Sequence, residues 1–443
     1  MKITNEYSYI VGLWFGDGGK TINRYELSLG ENKEYNNIQK LLSEYFGTEV
    51  KKKKIDNWYR LRVLKSQSFI KKLKEKIQTG ELLNELRTNP FPFITGFINT
   101  DGWIEYSNDK NDKNGLLIQI ANTNYEFLQM VQILLIENNL YSVIKKVKIL
   151  SNKNNMKKVV KYLIPIKRLK QGYVLQIKTK PTMYIVGKKI RNFILKKYAK
   201  DRINTFIEKY EKLRLATKIP ILEVFHSLQG EGTLIGSPQI FVRTAGCNLK
   251  CPSCDTKESW TRGDKYRITM KELIDKIQKF DCKSVCITGG EATLYVYNIQ
   301  FLIAYLKSEG YYVNIQTNGT RFEKSIFNIV DKVCMDIKFI NGKCMSNLSY
   351  IKKLRPNIDE IKVLVGNKKE LMFAKKINKI ASEHNILTII QVKNNVGKDT
   401  LESLVKKYKW VIVQVINDKK YTWNNIRLLP QLHVWIWGNR KGI

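Results

Sequence analysis

Cysteine is missing from the first half of this chain: all seven lie from Cys247 onward in a sequence of 443 residues. The first half is therefore built without sulfur chemistry, and thiolate metal sites belong to the second. Acidic residues are missing from one long stretch, with none between Glu137 and Asp201, where Lys and Arg number 18. Long apolar runs are missing too. None reaches the ~20 residues that span a bilayer, and Met1 to Tyr9 is polar and charged, unlike a secretory signal. No membrane partner is expected, and unpaired cysteines at metal spacing suit a reducing, cytoplasmic compartment.

What is abundant is positive charge, +37 in all. Residues 1–217 hold 41 Lys and Arg against 20 Asp and Glu, and the remainder 36 against 20. An acid-free stretch of this kind is an electrostatic footprint for a polyanion. The more modest excess in the second half fits a generally Lys-, Asn- and Ile-rich composition. A chain of this length holds two to four domains, and the change of composition places a boundary near residue 217.

The first half repeats itself. Tyr9-Ile10-Val11-Gly12-Leu13-Trp14-Phe15-Gly16-Asp17-Gly18 reads as an apolar helix ending at an acid followed by glycine, and Phe93-Ile94-Thr95-Gly96-Phe97-Ile98-Asn99-Thr100-Asp101-Gly102 reads the same way 84 residues later. Small residues four apart, Gly12 with Gly16 and Gly96 with Thr100, allow two helix backbones to approach closely and bring Asp17 and Asp101 to one end. Period-two alternation then predicts strands at Tyr25–Leu29, Trp58–Val63, Leu117–Ile120 and Tyr173–Ile177. Helical patterns cover Asn36–Phe46, Ser68–Ile77, Tyr125–Asn138 and Lys188–Leu213. Arg60, Arg62, Lys178 and the Lys51–Lys54 run would line a strand surface suited to a DNA groove. On the residues alone, each acid could instead merely end a buried helix.

This duplicated motif resembles the single-chain LAGLIDADG homing endonucleases. The resemblance implies a duplicated αββαββα fold over residues 1–217, with repeats of about 1–88 and 89–217. It also implies that Asp17 and Asp101 hold divalent metal, Mg2+, for cutting both strands of double-stranded DNA. Paired carboxylates suit two-metal phosphodiester hydrolysis, in which the metals stabilise the attacking and leaving oxygens. An intein is not expected, because the sole His-Asn pair, His384-Asn385, is followed by Ile386.

The second half carries Gly246-Cys247-Asn248-Leu249-Lys250-Cys251-Pro252-Ser253-Cys254-Asp255-Thr256, three cysteines at C-x3-C-x2-C spacing. Thiolates are the soft ligands that iron–sulfur clusters select, and three of them leave the fourth iron open to a chelating molecule. Zinc is the alternative, but no second Cys or Cys/His knuckle follows. Strand-like segments at Gln239–Arg243, Ser284–Thr288, Tyr312–Gln316, Lys332–Ile337, Ile361–Val365, Leu387–Val392 and Trp410–Val415 alternate with helical patterns at Met270–Phe280, Asn298–Ser308 and Lys369–His384. Such alternation predicts a parallel α/β sheet, here a partial (β/α) barrel with its site at the strands' C-terminal ends.

The cysteine run looks like the radical S-adenosylmethionine superfamily. Together with Leu228-Gln229-Gly230-Glu231-Gly232, Gly289-Gly290-Glu291, Thr317-Asn318-Gly319, Asp336-Ile337-Lys338 and Pro430-Gln431-Leu432-His433, it resembles the 7-carboxy-7-deazaguanine synthases over residues 218–443. The resemblance implies a 4Fe-4S cluster on Cys247, Cys251 and Cys254, and S-adenosylmethionine contacts at Ser253, Asp255, Gly290, Glu291, Asp336, Ile337 and Lys338. It further implies Mg2+ at Thr256, and substrate contacts at Leu228, Gln229, Gly230, Arg243 and Thr288. The implied reaction is ring contraction of 6-carboxy-tetrahydropterin to 7-carboxy-7-deazaguanine, on the route to queuosine and related 7-deazaguanines. An electron donor such as flavodoxin or ferredoxin is implied, as is a homodimer through the C-terminal domain. The chain departs from the family pattern in three places: Ser253 replaces an aromatic residue, Ala292 a proline, and Asp336-Ile337 a serine and proline. Cys282, Cys286, Cys334 and Cys344 read as packing residues. Two other readings compete: a radical activase of a glycyl radical enzyme, and a first half that binds nucleic acid without cutting.

Overall fold

The structure, a computed structural model, describes residues 5–18, 25–30, 36–55, 58–64, 66–106, 116–122, 124–138, 140, 142–147, 172–177, 179–261, 263–438 and 440. Backbone alone is described at Asp17, Gly18, Gly30, Trp58, Trp103, Tyr106, Lys146, Val147 and Gly172. Lys178, residues 148–171 of the acid-free stretch and the Asp17 side chain thus lie outside the described residues. The chain forms two compact units, Met1–Glu211 and Lys212–Ile443.

In the first unit the helix Asn5–Leu13, continued by a π-helical turn over Trp14–Gly18, packs on the helix Pro90–Asp101. The contact is backbone to backbone. A Cβ on Gly12 would sit 2.0 Å from the Phe93 carbonyl oxygen, and one on Gly96 would sit 2.3 Å from that of Tyr9. Only glycine permits that approach, which is why the small residues recur at a spacing of four. Buried Asn99 ties the pair together, donating from Nδ2 to the Tyr9 hydroxyl at 2.8 Å.

Each repeat adds an antiparallel sheet. The second repeat reads helix, strand, strand, helix, strand, strand, helix, helix, with sheet order Gly102–Tyr106, Leu116–Asn122, Gly172–Ile177, Ser142–Val147. The first has three strands among the described residues, in the order Glu26–Gly30, Trp58–Val63, Val50–Ile55.

One expected helix is corrected. Lys188–Leu213 is not continuous but two helices, Lys180–Ile190 and Lys197–Leu215. Asn99 explains the break, since its Nδ2 donates to the Phe193 carbonyl at 2.9 Å and its Oδ1 accepts from the Leu195 amide at 3.1 Å. Those contacts give the Phe193 carbonyl and the Leu195 amide partners outside the helices.

The second unit is a nine-stranded sheet. Its strands run Arg267–Thr269, Lys218–Leu228, Pro238–Thr244, Ser284–Gly289, Tyr312–Thr317, Lys332–Ile337, Glu360–Val365, Leu387–Val392 and Ile426–Leu429. From Pro238–Thr244 onward every pairing is parallel, and the first two strands join antiparallel. Helices Met270–Gln278, Val296–Ser308 and Lys368–Ser382 cross between strands. Alternation sorts the residues: Ile361, Val363 and Val365 pack into the apolar core, while Lys362 and Leu364 face a cavity.

Trp410–Val415 is also corrected, from strand to part of the helix Leu401–Ile416. Its β-branched run favours a strand locally. Burial of Leu404, Val411 and Val415 along one helical face, and Thr400 accepting from the Ser403 amide at the N-terminus, decide otherwise. The last parallel strand is Ile426–Leu429.

Candidate functional site

The strands' C-terminal ends open into one cavity of about 250 Å³. Its wall runs from Glu223 and Arg243 on one side to Lys393 on the other, so the sheet curves enough for strands far apart in it to share a site. Cys247, Cys251, Ser253, Cys254, Asp255, Thr256, Gly289, Gly290, Asp336, Ile337 and Lys338 all line it, as do Leu228, Gln229, Gly230, Arg243 and Thr288. Of the expected residues in this half, Glu291 alone does not.

The cysteine loop follows the Pro238–Thr244 strand, and all three thiols are free and partly exposed. Burial raises the thiols of Cys251 and Cys254 above their ordinary values. The Leu249 amide points at the Cys247 sulfur at 3.4 Å, and Asn318 Nδ2 lies 3.9 Å from the same atom. Among the described residues no three His, Cys, Asp or Glu side chains converge on a single ion. Three thiolates holding three separate irons need no such convergence, so the donor set fits a cluster.

The Gly-Gly turn explains itself sterically. A Cβ on Gly290 would lie 2.0 Å from the Gly246 carbonyl oxygen, and Gly289 has φ of +114° with its Cβ position 2.3 Å from the Thr244 amide nitrogen. Two backbone bonds lock the turn to the cysteine loop, Gly290 donating to the Thr244 carbonyl and Glu291 to that of Gly246, both at 2.9 Å. The Glu291 side chain is wholly buried beneath. It accepts from the Thr293 and Asn318 amides at 3.1 and 2.7 Å and from the Thr293 and Thr317 hydroxyls at 2.6 and 2.9 Å. Expected as a cofactor contact, its side chain is placed away from the cavity as a brace between two loops, with three donors on Oε1 and one on Oε2.

Gln229 differs in a similar way. Its Nε2 donates to Gln239 Oε1 at 2.9 Å in a buried network that continues to Asn314, and its Oε1 accepts from the Glu231 amide at 3.1 Å. The Gln229 amide and carbonyl are also engaged, donating to the Ser237 carbonyl and accepting from the Gly236 amide, both at 2.8 Å, and the Gly230 carbonyl accepts from the Leu432 amide at 3.0 Å. Arg243 pairs with Glu223 at 2.6 Å and donates to the Thr256 hydroxyl at 3.1 Å, while that hydroxyl donates to Asp255 at 3.0 Å.

A buried ionic chain crosses the floor. Lys362 contacts both Glu231 and, at 2.8 Å, Asp336, whose other oxygen meets Lys338 at 2.9 Å. Gln431 donates to Glu231 at 2.7 Å. Burial alone would raise the Glu231 carboxyl, but Lys362 beside it holds it below the usual carboxylate range. Burial would lower the Lys338 ammonium, but Asp336 lifts it above its ordinary value. Lys362 and Glu223 were not expected as site residues. The signal for Lys362 was a lone lysine inside an apolar strand, Glu360-Ile361-Lys362-Val363-Leu364-Val365.

In the first unit, Asn122 gathers the ends of the paired helices. Its Nδ2 donates to Asp101 Oδ2 at 2.9 Å and to the Phe15 carbonyl at 3.3 Å, two residues before Asp17. Lys196, also unexpected, donates to the Gly102 carbonyl at 2.8 Å; burial lowers its ammonium to about 8, against the opposing pull of Asp101. Lys51–Lys54 are exposed along one strand, and the register sets Lys51 opposite Arg62 and Lys53 opposite Arg60. Glu26, the acid beside them, pairs with both arginines, at 3.1 and 3.4 Å.

Comparison with known proteins agrees with both halves. Residues 241–364 match the Radical SAM superfamily and residues 89–190 the LAGLIDADG-like domain. Over 243 residues the chain is 30% identical to the 7-carboxy-7-deazaguanine synthase of Bacillus cereus, covering 51% of this chain and 100% of that protein. The chain belongs to the 7-carboxy-7-deazaguanine synthase family. Its synthase part is similar to the structure of QueE from Escherichia coli, with 22% identity, a TM-score of 0.39, and coverage of 51% of this chain and 99% of that one. Mesophilic variants of the homing endonuclease I-DmoI share 20% identity at a TM-score of 0.27, covering 40% of this chain and 86% of theirs. Membership in the radical SAM superfamily implies a 4Fe-4S cluster and S-adenosylmethionine for the synthase part. No helix among the described residues is long and apolar enough to cross a membrane.

Proposed function

We propose that residues 218–443 contract the ring of 6-carboxy-tetrahydropterin to 7-carboxy-7-deazaguanine with loss of ammonia. The observation that carries this reading is the convergence of the cysteine loop, the Gly-Gly turn and the Leu228–Gly230 loop on one cavity. Cys247, Cys251 and Cys254 would hold the cluster, and Gly290 with Asp336, Ile337 and Lys338 would position the cofactor. When bound, the cluster supplies the electron that starts radical chemistry on that cofactor. Arg243 offers a planar fork for the pterin carboxylate, and Glu223, which accepts from its Nε, orients the fork. The backbone of Leu228 to Gly230 and the Thr288 hydroxyl would read the ring edge. Thr256 and Asp255, hydroxyl beside carboxylate, offer oxygen donors to Mg2+. Flavodoxin or ferredoxin is the proposed electron donor, and a homodimer through this part the proposed assembly. The relatives favour this reaction over activation of a glycyl radical enzyme. Substrate-dependent ammonia release by the reconstituted chain tests it, and release that is the same without the pterin counts against it.

For residues 1–217 we propose metal-dependent cutting of double-stranded DNA, with Asp17 and Asp101 as Mg2+ ligands. Supporting it are the backbone-close helix pair that ends at both acids and the exposed Lys51–Lys54 strand of the same unit. Selection of cut sites from a randomised DNA library with Mg2+ tests this, and an uncut library would leave binding without cleavage as the better reading.

A further inference from the structure

Lys362 occupies an unusual place. Its side chain is 4% exposed, and one ammonium serves two carboxylates from separate segments. Glu231 directly follows the Leu228–Gly230 loop, the proposed substrate contact. Asp336 is the penultimate residue of the Lys332–Ile337 strand, the proposed cofactor contact, and stands opposite Lys362 in the sheet register. The same loop is pinned a second time on the Glu360–Val365 strand, where Glu360 accepts from the Thr233 amide at 3.2 Å and from its hydroxyl at 2.7 Å. Gln431 adds the segment that carries His433, against which Gly230 packs: a Cβ on Gly230 would meet the His433 ring nitrogen at 1.9 Å. Substrate loop and cofactor strand therefore meet at one buried cation, and the C-terminal segment joins them through Glu231.

We propose that Lys362 is a positioning residue that couples the two ligand subsites, so that pterin and S-adenosylmethionine each strengthen the other's binding. The inference rests on the subsites assigned under the proposed function. A ligand that orders the Leu228–Gly230 loop fixes Glu231. Through Lys362 that fixes Asp336 in the orientation the cofactor needs, and the same linkage acts in reverse. Lys362 cannot follow Asp336, which Lys338 also pairs, away from Glu231 without leaving a buried carboxylate short of its cation, which makes the link stiff.

The test measures S-adenosylmethionine binding to the anaerobically reconstituted full chain by equilibrium dialysis, with and without 6-carboxy-tetrahydropterin. In the unaltered chain the pterin should tighten cofactor binding by about 5-fold or more, the lower end of ordinary coupling. In K362M the ratio should fall to about 1, while iron content and the cluster's visible spectrum are retained. Because K362M takes the cation from Glu231 while Asp336 keeps Lys338, the double variant E231Q/K362M serves as the folding control, and it too should lack coupling. K362R, which keeps the charge, should restore part of the ratio. Coupling preserved in both methionine variants would overturn the proposal, as would an unaltered chain that binds both ligands independently. A chain that binds cofactor but no pterin would instead overturn the assigned substrate.

Discussion

Glu291 offers the sharpest test of how the site is built. Replacing it with alanine removes the acceptor for two backbone amides, Thr293 and Asn318, and for two hydroxyls. The hydroxyls can rotate toward other partners, but the amides cannot. Each stranded buried donor costs roughly 1–3 kcal/mol, so the pair implies about 4 kcal/mol for E291A. In a unit the size of Lys212–Ile443, that converts to a melting transition lower by roughly 8–16 °C. E291Q keeps a carbonyl for the three donors at Oε1 but sets its NH2 group against the Asn318 amide, so about half the loss is expected. Asn318 also donates to Asn248 at 2.9 Å, within the cysteine loop, so E291A should take up less iron on reconstitution. Calorimetry of the full chain together with iron analysis measures both effects. A transition within about 2 °C of the unaltered chain, with full iron, would refute the brace.

Three further outcomes are expected. G96A would push a methyl group into the Tyr9 carbonyl 2.3 Å away and should destabilise the first unit by about 1–3 kcal/mol or more, seen as an earlier denaturant midpoint for that unit. D101N should abolish Mg2+-dependent cutting while leaving DNA affinity within a few-fold of the unaltered chain, as read by paired cleavage and gel-shift assays; retained cutting would remove Asp101 from the proposed metal site. Changing Lys51–Lys54 to alanine should flatten the salt dependence of DNA binding, the slope falling by about 0.9 for each lysine that contacts a phosphate; an unchanged slope would place the DNA elsewhere.

Much of this molecule is legible in its sequence, for identifiable reasons. Lys332–Ile337 and Leu387–Val392 read as strands because short apolar runs bounded by polar residues fit a buried parallel sheet, and the structure has both over those bounds. The paired helices are legible from glycine spacing, since close backbone approach needs residues without a Cβ. What stayed hidden depends on partners distant in sequence. The break at residues 191–196 is set by Asn99, and the helical state of Trp410–Val415 by burial of one helical face. The three cysteines declare the site by spacing. Lys362, Glu231 and Asp336 become one cluster only when the sheet sets two strands in register and a loop folds onto them.

The most direct test of the central claim is to reconstitute the chain anaerobically with iron and sulfide, add S-adenosylmethionine, Mg2+, a reductant and 6-carboxy-tetrahydropterin, and look for 7-carboxy-7-deazaguanine by mass spectrometry. The account predicts product from the unaltered chain and none from Cys251→Ala. A well-formed cluster that cleaves its cofactor yet yields no product would contradict it.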